Sequence, residues 1–242
     1  MPNFPRPDTR YSACRTRTHL LSYPHVFHPW SRVAVENRHM MAQPKPALSE
    51  EAYLASERIS AIKHEYYHGH IYAMSGGKEP HNLIAGNTLA SLHRQLRRTP
   101  CRVYPSDMRV KVLRTGLLTY PDVMVMCGQP LFTDAIHDMI TNPTVVIEIL
   151  SPSTERYDRG MKFQNYRTID TLHDYLLIAQ DQHHIEHYIR QENGQWLLQE
   201  VTDLDGEIHI QSIACILRLD DVYEKVDLDQ SITDIPRAMP PE

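Results

Sequence analysis

The stretch TVVIEILSPST, residues 144–154, decides the fold of this chain. Its apolar run from Val145 to Leu150 is typical of a strand that is buried on both faces. Glu148 interrupts this run as an acid among aliphatic side chains. An ionised carboxylate inside a buried strand is costly unless a cation or a metal ion compensates its charge. Glu148 is therefore a candidate functional residue.

A second acid of this kind lies upstream, in the segment LLTYPDVMVMC, residues 117–127. Asp122 precedes an apolar run there and is predicted to lie in the same sheet as Glu148. Two convergent carboxylates with a strand carbonyl between them form a hard oxygen site, which suits Mg²⁺ or Mn²⁺. The alternative is that each carboxylate pairs with an arginine or a lysine. The presence of two such acids in different strands favours the metal site.

Helices and strands surround this centre in the predicted order. A short helix begins after the N-cap Ser49, a hairpin turns at His68-Gly69, and a second helix runs from Pro80 to Thr99-Pro100. The next predicted elements are strands in 101–113, 117–127 and 144–150, a helix over 160–169, and strands at 174–179 and 184–190. This order predicts an α/β (α+β) fold in which helices flank one central mixed sheet.

Composition and length limit the class of protein and its domain organisation. The chain has 242 residues, of which 41% are hydrophobic, and a net charge of −5. It is expected to be soluble, with no membrane association, and it is not a strongly basic protein that coats nucleic acid. Residues 1–40 are predicted to be a disordered or non-native extension with Met40 or Met41 as the true start, residues 41–226 one domain, and residues 227–242 a flexible tail.

The four cysteines are scattered along the chain. They are Cys14, Cys101, Cys127 and Cys215, and no two of them form a C-x-x-C pair. Without such a pair and without a recognisable signal peptide, they are expected to be reduced thiols in a cytoplasmic protein.

Several motifs in one order resemble a known family. They are KHEYYHG at 63–69, HNLIAGN at 81–87, SDMRV at 106–110, YPD at 120–122, EILSPST at 148–154 and DRGMKF at 158–163. From about Leu48 to Lys225 the chain resembles the Uma-two family of restriction endonucleases, within the PD-(D/E)XK nuclease superfamily. The resemblance implies a restriction-endonuclease-like αβββαβ core with an N-terminal helix and hairpin. It also implies hydrolysis of DNA phosphodiester bonds in the presence of Mg²⁺.

The resemblance also implies roles for individual residues. Asp122, Glu148 and the Ile149 carbonyl would hold the metal ion. The superfamily's lysine position is occupied by Leu150, so Lys162 on the following helix is predicted to replace that lysine. Glu65 is the weakest candidate, either as a further ligand or base, or as an exposed strand residue.

Other interpretations stay open at this point. Lys162 could be a surface lysine paired with Asp158, four residues earlier. Leu150 in the lysine position favours a catalytically inactive nuclease fold that only binds nucleic acid or a protein. A homodimer would suit the cutting of both DNA strands, although no residue requires one. Arginines 94, 97, 98 and 109 could contact the phosphate backbone or belong to a solvated helix face.

One competing motif indicates a different enzyme class. Residues 183–187, HHIEH, match the H-x-x-E-H zinc motif. That chemistry needs a helix, whereas the flanking residues alternate as in hairpin strands. The sequence therefore favours a strand here and disfavours zinc hydrolysis.

Overall fold

The computed structural model describes residues 47–228, and its elements follow the predicted order. They are α1 (Glu50–Glu57), β1 (His64–Tyr67), β2 (His70–Ala73), α2 (Glu79–Leu96), β3 (Cys101–Pro105), β4 (Arg109–Val112), β5 (Leu117–Thr119), β6 (Val123–Cys127), β7 (Met139–Ile140), β8 (Val145–Leu150), α3 (Glu155–Tyr157), a π-helical turn (Asp158–Lys162), α4 (Phe163–Tyr166), β9 (Asp174–Ala179), β10 (Ile185–Arg190), β11 (Trp196–Val201), β12 (Glu207–Ile210), a 3₁₀ turn (Gln211–Ile213), β13 (Cys215–Arg218) and α5 (Leu219–Val222).

The strands form two mixed sheets, not the single central sheet that was predicted. The larger sheet has the order β11-β10-β9-β8-β6-β3, and the smaller has the order β2-β1-β5-β4-β7. Strands β12 and β13 form a separate pair. In the larger sheet β8 and β9 run parallel, whereas β6 pairs antiparallel with both β8 and β3. The mixed α+β fold class is confirmed, and the prediction of one sheet is wrong.

Two prolines explain this division. Segments 101–113 and 117–127 were each predicted as one strand, but each is broken into two. Pro105 is the last residue of β3, and Pro121 lies between β5 and β6. Since proline has no N–H to donate to a ladder, each segment bends there and leaves its first sheet. Strands β3 and β6 pair in the larger sheet, while β4 and β5 pair in the smaller one.

The two faces of β8 contribute to different parts of the core. Ile147 packs in a cluster with Leu92 of α2. Val146 packs on the opposite face in a cluster with Tyr166 of α4. Since side chains alternate along a strand, Glu148 lies on the face of Val146 and so beneath the helical segment 155–166. The strand thus directs its acid towards that segment.

The cysteines differ from the prediction. Cys101 and Cys127 lie directly opposite each other in the β3–β6 ladder and form a disulfide. The prediction of reduced thiols is wrong for this pair, because two cysteines that are distant in sequence become neighbours when the strands pair. Cys215 is a buried free thiol, and Cys14 lies outside the described residues.

Parts of the predicted domain organisation are outside the description. The extension at 1–40 and the tail beyond residue 228 both lie outside residues 47–228. Within the described range, no helix has the length and apolar character needed to cross a membrane.

Candidate active site

The two predicted acids lie beside each other where β6 and β8 pair. The antiparallel register matches Val123 with Ile147, so the next position of the ladder sets Asp122 opposite Glu148. The Ile149 amide donates a hydrogen bond to Asp122 Oδ2 at 2.8 Å. This bond ties the Asp122 carboxylate to the end of β8. Ile149 therefore contacts Asp122 through its N–H, whereas the sequence analysis assigned a role to its carbonyl.

Lys162 joins these acids from the helical side. Its Nζ atom lies 2.9 Å from Glu148 Oε1, and 3.4 Å from both Glu65 Oε1 and Asp158 Oδ1. The Lys162 side chain is only 5% exposed. The interpretation of Lys162 as a surface lysine is therefore wrong, although its contact with Asp158 four residues earlier is present. The chain thus brings an ammonium group to Glu148 from the helical segment 155–166.

A π-helical turn gives Lys162 this position. The turn covers Asp158–Lys162 and separates two short α-helical pieces. Both end residues of the turn are buried. The Tyr175 hydroxyl donates a hydrogen bond to the Asp158 carbonyl at 3.0 Å, which anchors the turn to β9. Turns of this type often occur at functional sites because they redirect side chains that an α-helix would place elsewhere.

Glu65 reaches the site from the smaller sheet. It lies on β1, is 6% exposed, and accepts a hydrogen bond from the Thr119 hydroxyl of β5. Burial and the nearby Glu65 carboxylate raise the pKa of Tyr157 above its ordinary value. The alternative of an exposed strand residue is therefore wrong for Glu65. The site lies where both sheets meet the segment 155–166.

Carboxylates outnumber the cations at this site. Burial raises the pKa of Glu148 well above its ordinary value, and the negative charges of Asp122 and Asp158 add to this effect. Burial likewise raises the pKa of Asp158. Burial disfavours the ammonium form of Lys162, but Glu148 and Glu65 outweigh it and hold the Lys162 pKa well above the usual range. Lys162 is therefore a stable cation in an excess of negative charge.

Asp122 remains ionised in spite of its surroundings. Burial opposes the charge, but His81, Lys162 and the Ile149 amide together keep the pKa of Asp122 below its ordinary value.

Tyr166 donates a hydrogen bond to Glu148 Oε1 at 3.0 Å, so Lys162 and Tyr166 both contact the same oxygen of Glu148.

The donor chemistry of the site fits a hard divalent cation. Among residues 47–228, no group of three or more His, Cys, Asp or Glu side chains is placed so that it could hold a metal ion by itself. The hydrogen bonds and ion-pair contacts from the described residues fall on Asp122 Oδ2 and Glu148 Oε1, which leaves the other oxygen of each carboxylate for a ligand. Carboxylate oxygens in excess over cations are the donor set that Mg²⁺ and Mn²⁺ prefer.

Comparison with known families agrees with this geometry. The sequence profile of the Uma2 family, described as "putative restriction endonuclease", matches residues 50–218. The chain belongs to the Uma2 family. This membership confirms the resemblance to the Uma-two family, and it identifies the chain with nuclease-like proteins.

Two relatives match this Uma2 chain over nearly the whole of their own length. The uncharacterized protein slr1290 of Synechocystis sp. is 36% identical over 185 residues, which are 76% of this chain and 96% of the relative. The uncharacterized protein sll1609 of the same organism is 34% identical over 169 residues, 70% of this chain and 96% of the relative.

A solved structure has the same fold. It is described as "a putative nuclease belonging to DUF820" from Anabaena variabilis, and it superimposes with a TM-score of 0.60 at 17% identity. The match covers 72% of this chain and 96% of the other. At this identity the comparison establishes the fold of the Uma2 chain.

Several residues at the site were not predicted by the sequence analysis. They are His81, Thr119, Tyr157, Asp158 and Tyr166, each of which contacts one of the predicted acids or Lys162. Asp158 was considered only as a surface partner of Lys162. The spacing of Asp158, Lys162 and Tyr166, four residues apart, was the available signal, because it places three polar groups on one helical face.

Other predicted groups lie away from the site. Arg109 is buried and pairs with Asp138, so the prediction that it could contact a phosphate backbone is wrong. Arginines 94, 97 and 98 are exposed near the C-terminal end of α2, about 20–25 Å along the helix direction from His81.

The zinc motif does not form a metal centre. Residues 185–190 form strand β10, which confirms the predicted strand. His187 is buried against Asp174 at 2.7 Å, and Glu186 pairs with Arg159. A helix with two histidines on one face is therefore not present at 183–187.

Proposed function

We propose that the chain is a metal-dependent endonuclease that hydrolyses DNA phosphodiester bonds, with Mg²⁺ as its ion and Mn²⁺ as a substitute. The observation that carries this proposal is the buried Lys162 ammonium, held among Glu148, Glu65 and Asp158 beside Asp122. A lysine next to an excess of carboxylates provides both a metal-binding group and a group that stabilises developing negative charge. Membership of a family described as restriction endonucleases supports a phosphodiester substrate.

Asp122, Glu148 and the Ile149 carbonyl would hold the divalent ion. The ion, when bound, polarises the phosphate and lowers the pKa of a bound water molecule. The chain's own contribution is to keep Asp122 ionised and fixed, through the Ile149 amide and His81. These contacts prepare the carboxylate before a ligand arrives.

Lys162 would orient the attacking water and offset the charge that builds on the phosphate. Its contacts with Glu65 and Asp158 fix the ammonium without using the oxygen of Glu148 that is left for a ligand. A lysine from a helix can act in this way because its stem reaches into the pocket from outside the strand. Glu65 would serve as an anchor for Lys162 and as an acceptor for a proton.

Cleavage of supercoiled plasmid DNA in the presence of Mg²⁺ or Mn²⁺ tests the proposal. The wild-type chain should nick the plasmid, whereas Asp122→Ala and Glu148→Ala should lose activity by at least about a hundredfold. Glu192→Gln is a suitable control because Glu192 is exposed on the turn between β10 and β11. If the wild type nicks DNA no better than Asp122→Ala, the proposal of a nuclease fails.

A catalytically inactive binding module is the second candidate. The observation that favours it is Leu150, which is buried in the core where the superfamily has its lysine. Such a module would bind DNA without cleaving it and would not need a divalent ion. Calorimetry with Mn²⁺ separates the two candidates, because only the nuclease requires the ion.

The chain is also proposed to act as a homodimer, because two sites related by two-fold symmetry match the two strands of a duplex. Sedimentation of the free chain and of its DNA complex tests this part. A monomer in both states would contradict it.

A further inference from the structure

His81 contacts the Asp122 carboxylate from helix α2. The His81 Nε2 atom lies 3.3 Å from Asp122 Oδ2, and the His81 side chain is 18% exposed. The same oxygen accepts the hydrogen bond of the Ile149 amide at 2.8 Å. Asp122 Oδ2 thus faces two donors, one from α2 and one from β8.

The other ring nitrogen of His81 determines which nitrogen carries the proton. Nδ1 is buried and has no hydrogen-bond partner within residues 47–228. With the proton on Nδ1, a buried N–H would lack an acceptor and the Nε2 lone pair would face the Asp122 carboxylate. The hydrogen-bond network therefore assigns the proton to Nε2, where Asp122 can accept it.

Gly77 supports the ring from the opposite side. A Cβ atom added at Gly77 would lie 2.4 Å from His81 Nδ1 and 2.7 Å from Cγ. Any side chain at position 77 would therefore push the imidazole out of its place. The neighbouring Gly76 differs, because a Cβ atom there would meet nothing within 4 Å. Gly77 is thus matched to the imidazole, and Gly76 is not.

We propose that His81 is a positioning residue of the metal site, which holds Asp122 Oδ2 so that Oδ1 is free for the divalent ion, and that Gly77 provides the space for its ring. This inference rests on the proposed function. A carboxylate ligand that lacks its hydrogen-bonding partner can rotate, and loss of such partners typically weakens metal binding by about 10–100-fold.

The experiment measures Mn²⁺ binding to the full chain by calorimetry. His81→Ala and Gly77→Ala should each bind Mn²⁺ at least about tenfold more weakly than the wild type. His81→Gln should recover most of this loss, because the Gln amide can donate from nearly the position of Nε2. Gly76→Ala is the matched control and should bind like the wild type. Thermal unfolding of the metal-free variants should show that Gly77→Ala is as stable as Gly76→Ala.

Four results would overturn the inference. If Gly77→Ala binds Mn²⁺ as tightly as Gly76→Ala, the ring does not hold the ligand. If His81→Gln loses as much affinity as His81→Ala, the histidine is a direct ligand and not a positioning residue. If the wild type binds no Mn²⁺ at all, the metal-dependent function fails together with this inference. If the wild type binds and all variants bind equally, the positioning role alone fails.

Discussion

At the scale of single residues, Lys162 determines the charge balance of the site. Its ammonium has three carboxylates within 3.4 Å, those of Glu148, Glu65 and Asp158. A lysine buried to this extent remains charged only because acids surround it, and these acids are tolerated only because the lysine is present. The same contacts therefore contribute to stability and to chemistry.

Lys162→Met should abolish cleavage and lower the free energy of unfolding of the metal-free chain by about 3–5 kcal/mol. The reason is that the buried carboxylates lose their counter-charge. Urea denaturation and the plasmid assay measure the two effects. The double variant Lys162→Met/Glu148→Gln should regain part of the stability, because one of the unpaired charges is removed as well. Lys225→Met, at an exposed lysine, is the control. Equal free energies of unfolding for Lys162→Met and Lys225→Met would contradict this prediction.

Metal affinity should rise with pH. Burial raises the pKa of Glu148 well above its ordinary value, so in the metal-free chain this carboxyl holds a proton at pH values where a free glutamate is ionised. The ion must displace that proton, and the apparent affinity for Mn²⁺ should therefore increase by up to about tenfold per pH unit below the raised pKa. Calorimetry in buffers of different ionisation heat measures the proton released.

Glu148→Gln is the control for the pH dependence. It should bind Mn²⁺ more weakly and should lose the proton release that comes from Glu148. An affinity of the wild type that stays constant between about pH 5 and pH 8 would contradict the assignment.

At the scale of elements, the π-helical turn places the catalytic lysine of our proposal. Asp158 and Lys162, its two end residues, are both buried. A π-turn contains one residue more than the α-helical turn that would replace it. The direction of Lys162 thus depends on the length of this turn.

Deletion of Gly160 tests the role of the π-turn. The shortened segment should continue as an α-helix in which Lys162 follows Asp158 by three residues instead of four, so Lys162 can no longer hold its present position between Asp158 and Glu148. Cleavage should be lost. Gly160→Ala is the matched control, because a Cβ atom at this position meets nothing within 4 Å and alanine favours the helix. A deletion variant that is as active as Gly160→Ala would exclude the role of the turn.

The elements also differ in how well the sequence predicted them. Strand β8 and helix α2 were predictable because their apolar residues recur over several turns or run without interruption. The breaks at Pro105 and Pro121 were not predicted, because alternation continues on both sides of each proline. The π-turn at 158–162 has no periodic signature of its own. Asp122 and Glu148 were predictable because they are acids next to or within apolar strands. His81 and Asp158 lie in polar stretches, where the sequence does not distinguish a functional polar residue from a surface one.

At the scale of the whole molecule, a covalent bond closes the edge of the larger sheet. The Cys101–Cys127 disulfide joins β3, an edge strand, to β6, the strand that follows Asp122. The two cysteines are separated by 26 residues in sequence. Cross-links over loops of this size restrict the unfolded chain and thereby stabilise the folded one.

Reduction of this disulfide should lower the free energy of unfolding by about 3 kcal/mol. Denaturation with and without a reductant measures the change. Cys101→Ser should show the lower stability in both conditions. Thiol titration of the denatured, unreduced chain should leave Cys101 and Cys127 undetected. Four thiols without reductant would contradict the bridge.

The hairpin shared by both sheets has a mechanical consequence. The short connections that a tilt of one sheet against the other must bend include residues 106–108, between β3 and β4, residues 120–122, between β5 and β6, and residues 141–144, between β7 and β8. Glu65 travels with the smaller sheet and Glu148 with the larger one. Such a tilt would change the distance between Glu65 and Glu148 while each sheet keeps its internal geometry.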